Sequence, residues 1–401
     1  MIHRLEGQGW LTVPAMRAVM TALAAAGGPD CARFVGGCVR NALIGAPIDD
    51  IDIATTLTPD AVVGALKAAG LRSVPTGIDH GTVTAISERQ PFEITTLRRD
   101  VSTDGRRATV AFTTDWTEDA GRRDFRLNAL YADADGVILD PTGQGFDDAM
   151  AGRIVFVGEP EGRIREDYLR ILRFYRFYAW YGRGAPDAAA VAACAALAEG
   201  VEHLSAERVS KELLKLLAAP DPRPAVRLMA EASVLERVLG GGFDLPLFET
   251  MTEISEDPVM RLSALLPADP VRTGEAARAL RLSNAQRDRL AEAASGGARL
   301  TLTDAQARAL LYRDGRQAFE DRVMRAWAAG GNAMGAQRLL TLAQDWTRPS
   351  LPVGGRELAR LGLKPGPETG RVLKAFEEGW VADDFPDHGH DERLRALLPP
   401  R

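Results

Sequence analysis

Two aspartates spaced one residue apart follow a pair of glycines in the first part of the chain. Gly36 and Gly37 stand between the strand-like residues ARFV and a helix-like segment, which would gather backbone N–H groups into an anion site at a helix N-terminus. If Asp50 and Asp52 share one strand, their carboxylates point to the same face about 7 Å apart. Such a pair can hold two Mg²⁺ ions ~3.5–4 Å apart, so the spacing predicts chemistry on a phosphate with Asp50 and Asp52 as catalytic metal ligands.

An Asp-x-Asp spacing is weak evidence by itself, because it is common in surface turns. Here it follows Gly-Gly-x-x-Arg, in which Arg40 lies one turn into the helix-like segment and could reach the same anion. The glycines and the acidic pair together favour an active site. Glu93, in the strand-like segment FEITTL, is a candidate third carboxylate, and an exposed strand acid is an equally good interpretation.

A second charged group is Arg122-Arg123-Asp124. Arginine can grip phosphate oxygens with two N–H groups at once, and a neighbouring aspartate can accept a hydrogen bond from a ribose hydroxyl. A solvated helix start is the alternative interpretation. The polar stretch between Arg98 and Asp119 is predicted to be an exposed loop.

The third charged group lies in EDYLRILRFYR. Asp167, Arg170 and Arg173 recur every three residues, with Arg176 a further step along, so a helix would place them in one stripe. Arginines outnumber acids around this stripe, which favours a local basic groove. An amphipathic core helix with a solvated face is the alternative.

The elements that would position these groups change character along the chain. Between about residues 30 and 140, short β-branched runs alternate with Gly, Pro and Asp, which predicts a small mixed sheet. TPDAVVGALKAAG predicts a helix with Thr58 as N-cap and Pro59 at its first position. From about residue 150 onward, apolar residues recur at helical spacing. The predicted fold class is therefore α+β, a small mixed-sheet domain followed by an all-helical remainder.

The composition excludes several classes of protein. The 401-residue chain is 46% hydrophobic, and its net charge of −6 argues against binding nucleic acid by bulk charge while allowing a local basic groove. The apolar runs are too short to span a membrane, and no feature indicates an obligate protein partner. Three cysteines are too few for a disulfide framework, and the N-terminus does not resemble a secretory signal, so we expect a cytoplasmic protein.

Four stretches resemble the signature motifs of one family. GGCVRNALIGAPIDDIDIAT, TGIDHGT, RRDFRLNAL and EDYLRILR are similar to motifs of class II tRNA nucleotidyltransferases and bacterial poly(A) polymerases, within the polymerase-β-like superfamily. The resemblance is strong over about residues 33–217 and weaker over 354–376. Two positions differ from the family pattern: Asn41 replaces a usual Asp, and Arg126 replaces a usual Thr.

The resemblance implies roles for individual residues. It implies that Asp50 and Asp52 bind Mg²⁺, and that Asp167 and Arg170 hydrogen-bond the Watson–Crick edge of the incoming base. Arginine offers donors and aspartate offers acceptors, so this pair could read either C or A after a small shift. The further nucleotide-binding residues that it implies are Gly37, Arg40, Arg123, Asp124, Asn128, Arg173 and Arg176.

The resemblance also implies an organisation and an activity. We expect a nucleotidyltransferase head at 1–150, neck helices for base selection and RNA binding at 151–220, and a tRNA-binding body and tail at 221–401. The implied activity is template-independent addition of CCA to tRNA 3′ ends from CTP and ATP, with release of pyrophosphate. The alternatives are a poly(A) polymerase, an enzyme that adds only A or CC, and an inactive RNA-binding module. The TG-x-x-HGT segment with His80 favours CCA addition, and the intact acidic pair argues against the inactive module.

Overall fold

The computed structural model divides the chain into two units, residues 1–238 and residues 239–401, which we call unit 1 and unit 2. The predicted boundaries at residues 150 and 220 stay predictions. His80 lies outside the residues that the structure describes. The described residues are 3–78, 81–104, 107–296 and 299–398.

Unit 1 is built around a seven-stranded mixed sheet with the strand order β3-β4-β5-β2-β1-β8-β9. Strands β2 and β5 run parallel, and the other neighbours are antiparallel. Residues along β4 are alternately buried and partly buried, as expected for a strand with one face on a core. The strands are β1 (Ala32–Val35), β2 (Asp52–Thr55), β3 (Arg72–Gly77), β4 (Thr82–Ser87), β5 (Gln90–Thr96), β8 (Tyr131–Ala132) and β9 (Ile138–Leu139).

Two helices cover one face of this sheet. Helices α1 (Pro14–Gly27) and α3 (Pro59–Ala68) contact each other and strand β4, and their apolar sides are buried. As predicted, Thr58 caps α3 by accepting a hydrogen bond from the N–H of Ala61 at 3.4 Å. Pro59 takes the first helical position, where its missing N–H costs nothing.

The stretch that follows β5 is not the loop that its polarity predicts. Strands β6 (Arg98–Asp104) and β7 (Arg107–Phe112) form a separate two-stranded hairpin, and α4 (Trp116–Gly121) comes next. The loop prediction was wrong because pairing between two strands satisfies backbone N–H and C=O groups whatever the polarity of the side chains.

Strand β2 begins at Asp52, so the prediction that Asp50 shares its strand was wrong. Strand β1 pairs with β2 only from Ile53 onward, because the chain turns at Gly36 into α2 (Gly37–Ile44). Asp50 therefore lies in the segment that leads into β2.

The continuous helix expected around Asp167 is broken. Helix α6 ends at Glu166, Asp167 has an extended backbone with φ −157° and ψ 106°, and α7 begins at Leu169. The physical cause is the Asp167 side chain, whose Oδ1 accepts the N–H of Leu169 at 3.1 Å and thereby caps the new helix.

The remainder of unit 1 is helical. An aromatic cluster joins α7 to the segments before it, with ring centroids of Phe125 and Phe156 at 4.9 Å and of Phe125 and Phe177 at 5.1 Å. The segment AERVSKELLKLL forms one of these helices, α9 (Ala206–Leu217). These helices are α5 (Gly145–Ala151), α6 (Pro160–Glu166), α7 (Leu169–Tyr181), α8 (Ala188–Ala196), α9 (Ala206–Leu217), α10 (Arg223–Glu231) and α11 (Val234–Leu239).

Unit 2 consists of helices packed around its own apolar clusters. One cluster centres on Phe376 and Trp380, and another on Phe319 and Leu339. A buried ion pair joins Nε of Arg289 to Asp321 at 2.7 Å. The helices are α12 (Leu245–Ile254), α13 (Pro258–Leu265), α14 (Pro270–Ala279), α15 (Asn284–Ala294), α16 (Asp304–Asp314), α17 (Arg316–Ala328), α18 (Ala333–Asp345), α19 (Gly355–Arg360), α20 (Pro367–Ala382) and α21 (His390–Leu397).

The predicted α+β class, with a mixed sheet followed by helices, is confirmed. Within the described ranges, no helix combines the length and the apolar character needed to cross a bilayer. Cys31, Cys38 and Cys194 are buried free thiols.

Candidate active site

The acidic part of the site lies at the start of β2. Asp52 is paired in parallel register with Glu93 of β5, so the two side chains project from the same face of the sheet, and both are exposed. Partial desolvation, followed by repulsion from Glu93 and Asp50, raises the pKa of Asp52, although Arg123 acts in the opposite direction. The three carboxylates thus form a region of negative charge that favours a cation.

Asp50 and Asp52 offer the carboxylate oxygens that Mg²⁺ prefers in proteins. In the part of the chain that the structure describes, no group of three or more His, Cys, Asp or Glu side chains could hold a metal ion. Mg²⁺ is commonly held by one or two carboxylates and completes its shell with water and substrate phosphates. Asp50 and Asp52 therefore fit a Mg²⁺ ion that substrate phosphates also bind better than one whose ligands all come from the protein.

Gly36 and Gly37 form the turn between β1 and α2. Gly36 has φ 71° and ψ −120°, a conformation that requires glycine, and a Cβ added there would lie 3.6 Å from Nη1 of Arg123. Gly37 is the first residue of the eight-residue helix α2, whose first N–H groups have no acceptor within the helix. The turn therefore places Gly36, the residue before this helix, beside the guanidinium of Arg123.

Arg40 lies behind this turn and is only 6% exposed. Its guanidinium packs over the ring of Tyr181 at 4.0 Å and donates to Asn41, Asn128 and the Tyr181 hydroxyl. Burial lowers the pKa of Arg40, and these hydrogen-bond partners are uncharged at neutral pH. A Cβ on Gly37 would lie 3.8 Å from Nη2, so the charge of Arg40 stands directly behind the glycine turn.

Arg123 lies beside the acidic part of the site. Its Nε and Nη2 donate to Asp119 at 3.3 and 3.0 Å, and its Nε also donates to the Tyr131 hydroxyl at 3.2 Å. Burial opposes the charge of Arg123, but Tyr131 and Asp119 together raise the pKa of its guanidinium, so the charge is kept. The side chain is 20% exposed, which leaves part of it available to a ligand.

Asp124 is the next residue and is 9% exposed. It accepts hydrogen bonds from Nε of Arg173 at 2.8 Å, from Nδ2 of Asn128 at 3.0 Å and from the N–H of Phe125 at 2.8 Å. Burial alone would raise the pKa of Asp124, but the attraction of Arg173 outweighs it and lowers the pKa. Asp124 therefore anchors α7 to the sheet side of unit 1, and its contact with a ribose stays a prediction.

Asp167 and Arg170 lie next to each other at the start of α7, where the N–H of Arg170 donates to the C=O of Asp167 at 3.0 Å. Oδ2 of Asp167 accepts a hydrogen bond from Nη2 of Arg208 at 2.6 Å. Nη1 of Arg170 donates to Glu166 at 2.5 Å, and its Nη2 donates to the C=O of Arg122 at 3.3 Å. Both side chains are thus held by protein partners in defined orientations.

Arg173 and Arg176 form ion pairs within the protein. Nε of Arg176 donates to Glu212 of α9 at 2.5 Å, and a nitrogen of Arg173 lies 3.8 Å from the same carboxylate. Glu212 is 7% exposed, so both arginines compensate a buried charge. These ion pairs suit a structural role for Arg173 and Arg176 between α7 and α9. A contact of either arginine with phosphate stays a prediction.

The three consecutive residues Arg122 to Asp124 connect the acidic part of the site to the helices. Toward the sheet, Arg123 influences the charge of Asp52. Toward the helices, Arg163 of α6 donates to the C=O groups of Arg122 and Arg123, the latter at 2.8 Å. Nη2 of Arg170 also donates to the C=O of Arg122, so the motif lies between the carboxylates and one of the residues expected to read a base.

Sequence reasoning missed the residues that hold these groups in place. Asp119 stands three and four residues before Arg122 and Arg123, and this spacing could have indicated their ion pairs. Contacts between separate helices carry no such local signal. The missed residues are Asp119, Tyr131, Glu166, Arg208 and Glu212.

Two family models match the chain. The model of the poly A polymerase head domain matches residues 32–155, and that of a probable RNA and SrmB-binding site of polymerase A matches residues 186–242. The first match lies within the stretch of strong resemblance at about residues 33–217, and the second begins inside that stretch and extends past its end to residue 242.

Whole-length relatives and solved structures agree with these matches. Human mitochondrial CCA tRNA nucleotidyltransferase 1 is 33% identical over 372 residues, which cover 88% of this chain and 83% of that protein. The CCA-adding enzyme of Lacticaseibacillus paracasei is 32% identical, with 92% and 91% covered.

Solved structures include the Bacillus stearothermophilus CCA-adding enzyme in complex with CTP. It has a TM-score of 0.73 and 25% identity, and the match covers 96% of this chain and 97% of that one. The Thermotoga maritima CCA-adding enzyme with tRNA_CCA has a TM-score of 0.68 over 99% of this chain and 98% of its own, and at 17% identity it supports the fold alone. The predicted family is thereby confirmed: the chain belongs to the family of CCA tRNA nucleotidyltransferases and poly(A) polymerases.

Proposed function

We propose that this protein adds C, C and A to the 3′ end of tRNA, taking them from CTP and ATP and releasing pyrophosphate. One observation carries the proposal: Arg170 donates to the C=O of Arg122, and the neighbouring Arg123 lies close enough for its charge to act on Asp52. Groups suited to a triphosphate and a group suited to a base therefore lie on neighbouring parts of unit 1. Relatives of similar length are CCA-adding enzymes, which supports the same conclusion.

In the proposed reaction, the 3′-hydroxyl of the tRNA forms a bond to the α-phosphorus, and the bond to pyrophosphate breaks. The N–H groups that begin at Gly37, with Arg40 behind them and Arg123 beside them, hold the phosphates of the nucleotide. Positive groups aimed at phosphate oxygens stabilise the charge that builds up on the leaving pyrophosphate.

Metal dependence is general in this family. We propose that Asp50 and Asp52 hold Mg²⁺, and that Glu93, in parallel register with Asp52, adds negative charge beside this pair without being a third ligand. When bound, Mg²⁺ supplies positive charge to the attacking hydroxyl and to the leaving phosphates.

Asp167 and Arg170 select the base in this proposal. Aspartate accepts and arginine donates, so together they can match the Watson–Crick edges of both C and A. Their fixed orientations, set by Arg208 and Glu166, favour discrimination against the other bases. Arg170→Ala should therefore lower the preference for CTP and ATP over UTP and GTP more than it lowers the rate.

The test is extension of a tRNA that lacks its CCA end, with Mg²⁺ and each nucleotide offered singly and then CTP with ATP. Growth by three residues that needs both nucleotides and then stops would establish CCA addition. A long ladder with ATP alone would identify a poly(A) polymerase, and one or two residues from a single nucleotide would identify an A- or CC-adding enzyme. Binding of tRNA without any extension would identify an inactive module.

Asp52→Asn and Asp49→Asn form a matched pair for the metal site. Asp49 is an exposed carboxylate of the same segment with no role in the proposal. We expect Asp52→Asn to lower the rate by at least about a hundredfold, and Asp49→Asn to extend tRNA like the wild type. Equal rates in the two variants would contradict the metal assignment.

We also propose the cytoplasmic location that the sequence predicts. Three buried free thiols suit a reducing compartment and support it. Fractionation of cells that express the tagged full chain would test this location.

A further inference from the structure

Asp119 is a buried carboxylate surrounded by donors. It is 1% exposed, and Oδ1 accepts hydrogen bonds from Nε and Nη2 of Arg122 at 2.8 and 2.6 Å. Oδ2 accepts from Nη2 of Arg123 at 3.0 Å and from the hydroxyl of Tyr131 at 2.7 Å. The N–H of Arg98, the first residue of β6, donates to Oδ1 at 3.3 Å. The carboxylate thus ties α4, β6 and β8 to the arginine pair.

These contacts fix the direction of the Arg123 side chain. Nε and Nη2 face Asp119, and the ring of Tyr131 lies 5.3 Å from the centre of the guanidinium. Nη1 is the nitrogen that approaches Gly36, where an added Cβ would lie 3.6 Å away. One edge of the guanidinium is therefore occupied by the protein, and the other is turned toward the glycine turn.

We propose that Asp119 is the positioning residue for Arg123 in triphosphate binding. It holds the guanidinium so that Nη1 stands beside the turn of Gly36 and Gly37. Asp119 acts through Arg123 and does not itself touch the nucleotide. This inference rests on the proposed function, because it takes the triphosphate to be the ligand of Arg123.

The charge of Asp119 is essential to this arrangement. Burial opposes ionisation, but the attraction of Arg123 and Arg122 outweighs it and lowers the pKa of the Asp119 carboxyl. Hydrogen bonds between an ionised acceptor and a guanidinium are shorter and stronger than neutral ones. An asparagine in place of Asp119 has the same shape and would keep the packing, but it would hold the Arg123 guanidinium less strongly.

Asp119→Asn tests the proposal in the full-length protein. The dissociation constants of CTP and ATP are measured at equilibrium with Mg²⁺ and without tRNA, so that no transfer occurs. We expect both constants to rise by about tenfold, with their ratio unchanged, because the triphosphate is common to both nucleotides. A change in the CTP-to-ATP ratio, or affinities equal to the wild type, would overturn the proposal.

Asp148→Asn is the matched control. Asp148 is a carboxylate of the same unit, 2% exposed, and it pairs with Arg153 at 2.8 Å and with Arg126 at 3.8 Å. Neither arginine has a role in the proposed site. We expect this variant to bind both nucleotides like the wild type, and a loss equal to that of Asp119→Asn would mean a general effect of a lost buried charge, which would overturn the proposal.

A double variant tests whether Asp119 acts through Arg123. Arg123→Ala already lacks the guanidinium that binds the triphosphate. Adding Asp119→Asn to it should therefore weaken nucleotide binding no further. A further loss of about tenfold would show an independent role and overturn the proposal. If the wild type binds neither CTP nor ATP, the proposed function is wrong. If the wild type binds both and Asp119→Asn binds them equally well, only the role of Asp119 is wrong.

Tyr131→Phe provides a second route if Asp119→Asn does not fold. This change removes only the hydroxyl that donates to Asp119 and accepts from Arg123. We expect both nucleotides to bind about two- to threefold more weakly, with a single cooperative unfolding transition retained. Affinities equal to the wild type would overturn the proposal.

Discussion

Arg208 of α9 donates a hydrogen bond to Oδ2 of Asp167 at 2.6 Å, across a separation of 41 residues. The other oxygen of Asp167 caps α7, so both carboxylate oxygens have assigned partners. The residue proposed to read the base is therefore oriented from two directions by the protein. Its position depends on a helix that the sequence motif around Asp167 does not include.

We expect Arg208→Met to lower the preference for the correct nucleotide base. The long apolar stem is kept, while the donor to Asp167 is lost, so the carboxylate can adopt other rotamers. We expect the preference for CTP over UTP to fall by up to about tenfold, with a smaller fall in the rate of C addition. Single-nucleotide extension measures both quantities.

The control for that change is Arg165→Met on α6. Arg165 is 56% exposed and pairs with the exposed Glu161, so its ion pair contributes little. If Arg208→Met and Arg165→Met discriminate between bases equally well, the Arg208 contact does not set base choice.

Asp124→Asn should destabilise the protein in a pH-dependent way. The pKa of Asp124 is lowered in the folded protein, so its ionised form contributes stability above the unfolded-state pKa of about 3.9, and this contribution is lost as the pH falls through the folded-state pKa. We expect a loss of about 1–3 kcal/mol at pH 7 that shrinks below pH 4. Denaturant unfolding of both proteins between pH 7 and pH 3 measures it, and a pH-independent difference would contradict the assignment.

Asn41 occupies a position where the family usually has Asp. Its side chain makes three hydrogen bonds, two with Arg40 and one with Pro47. Oδ1 accepts from Nε and Nη2 of Arg40 at 3.0 and 2.8 Å, while Nδ2 donates to the C=O of Pro47 at 2.6 Å. Asn41→Asp keeps both acceptors and loses only the donor, whereas Asn41→Ala loses all three hydrogen bonds.

We therefore expect Asn41→Asp to stay within about threefold of the wild-type rate and Asn41→Ala to lose about 1–2 kcal/mol of stability. Thermal unfolding and tRNA extension measure the two effects. Equal losses of stability in Asn41→Asp and Asn41→Ala would show that the bond to Pro47, which both variants lose, and not the link to Arg40, is the important contact.

Gly200→Ala should disturb the residues next to Asp167. Gly200 is buried against Tyr168, and an added Cβ would lie 1.9 Å from the Tyr168 ring. The ring must move, and Tyr168 is the residue between Asp167 and the start of α7. We expect a loss of about 1–3 kcal/mol and weaker discrimination between bases. Gly64→Ala, where no atom lies within 4 Å, is the control, and equal behaviour of the two variants would contradict this packing.

Candidate residues for the site could be proposed from the sequence because each group follows a local pattern. Two glycines before a helix, an Asp-x-Asp spacing and an arginine repeat are short patterns whose chemistry does not depend on distant residues. The same holds for α3, whose Thr58 cap and Pro59 start are local signals. The glycine, aspartate and arginine patterns were sufficient for the family resemblance, and the change from β-branched runs to helical spacing of apolar residues was sufficient for the α+β class.

Only the tertiary structure determined what each charged side chain contacts. Asp50 falls before β2 because β1 ends at the glycine turn, and the β6–β7 hairpin forms because paired strands satisfy each other's backbone groups. Arg173 pairs with Asp124 over 49 residues, and Arg208 reaches Asp167 over 41. A buried charge needs an opposite charge or donors wherever the fold brings them, and no spacing along the chain specifies a partner on another helix.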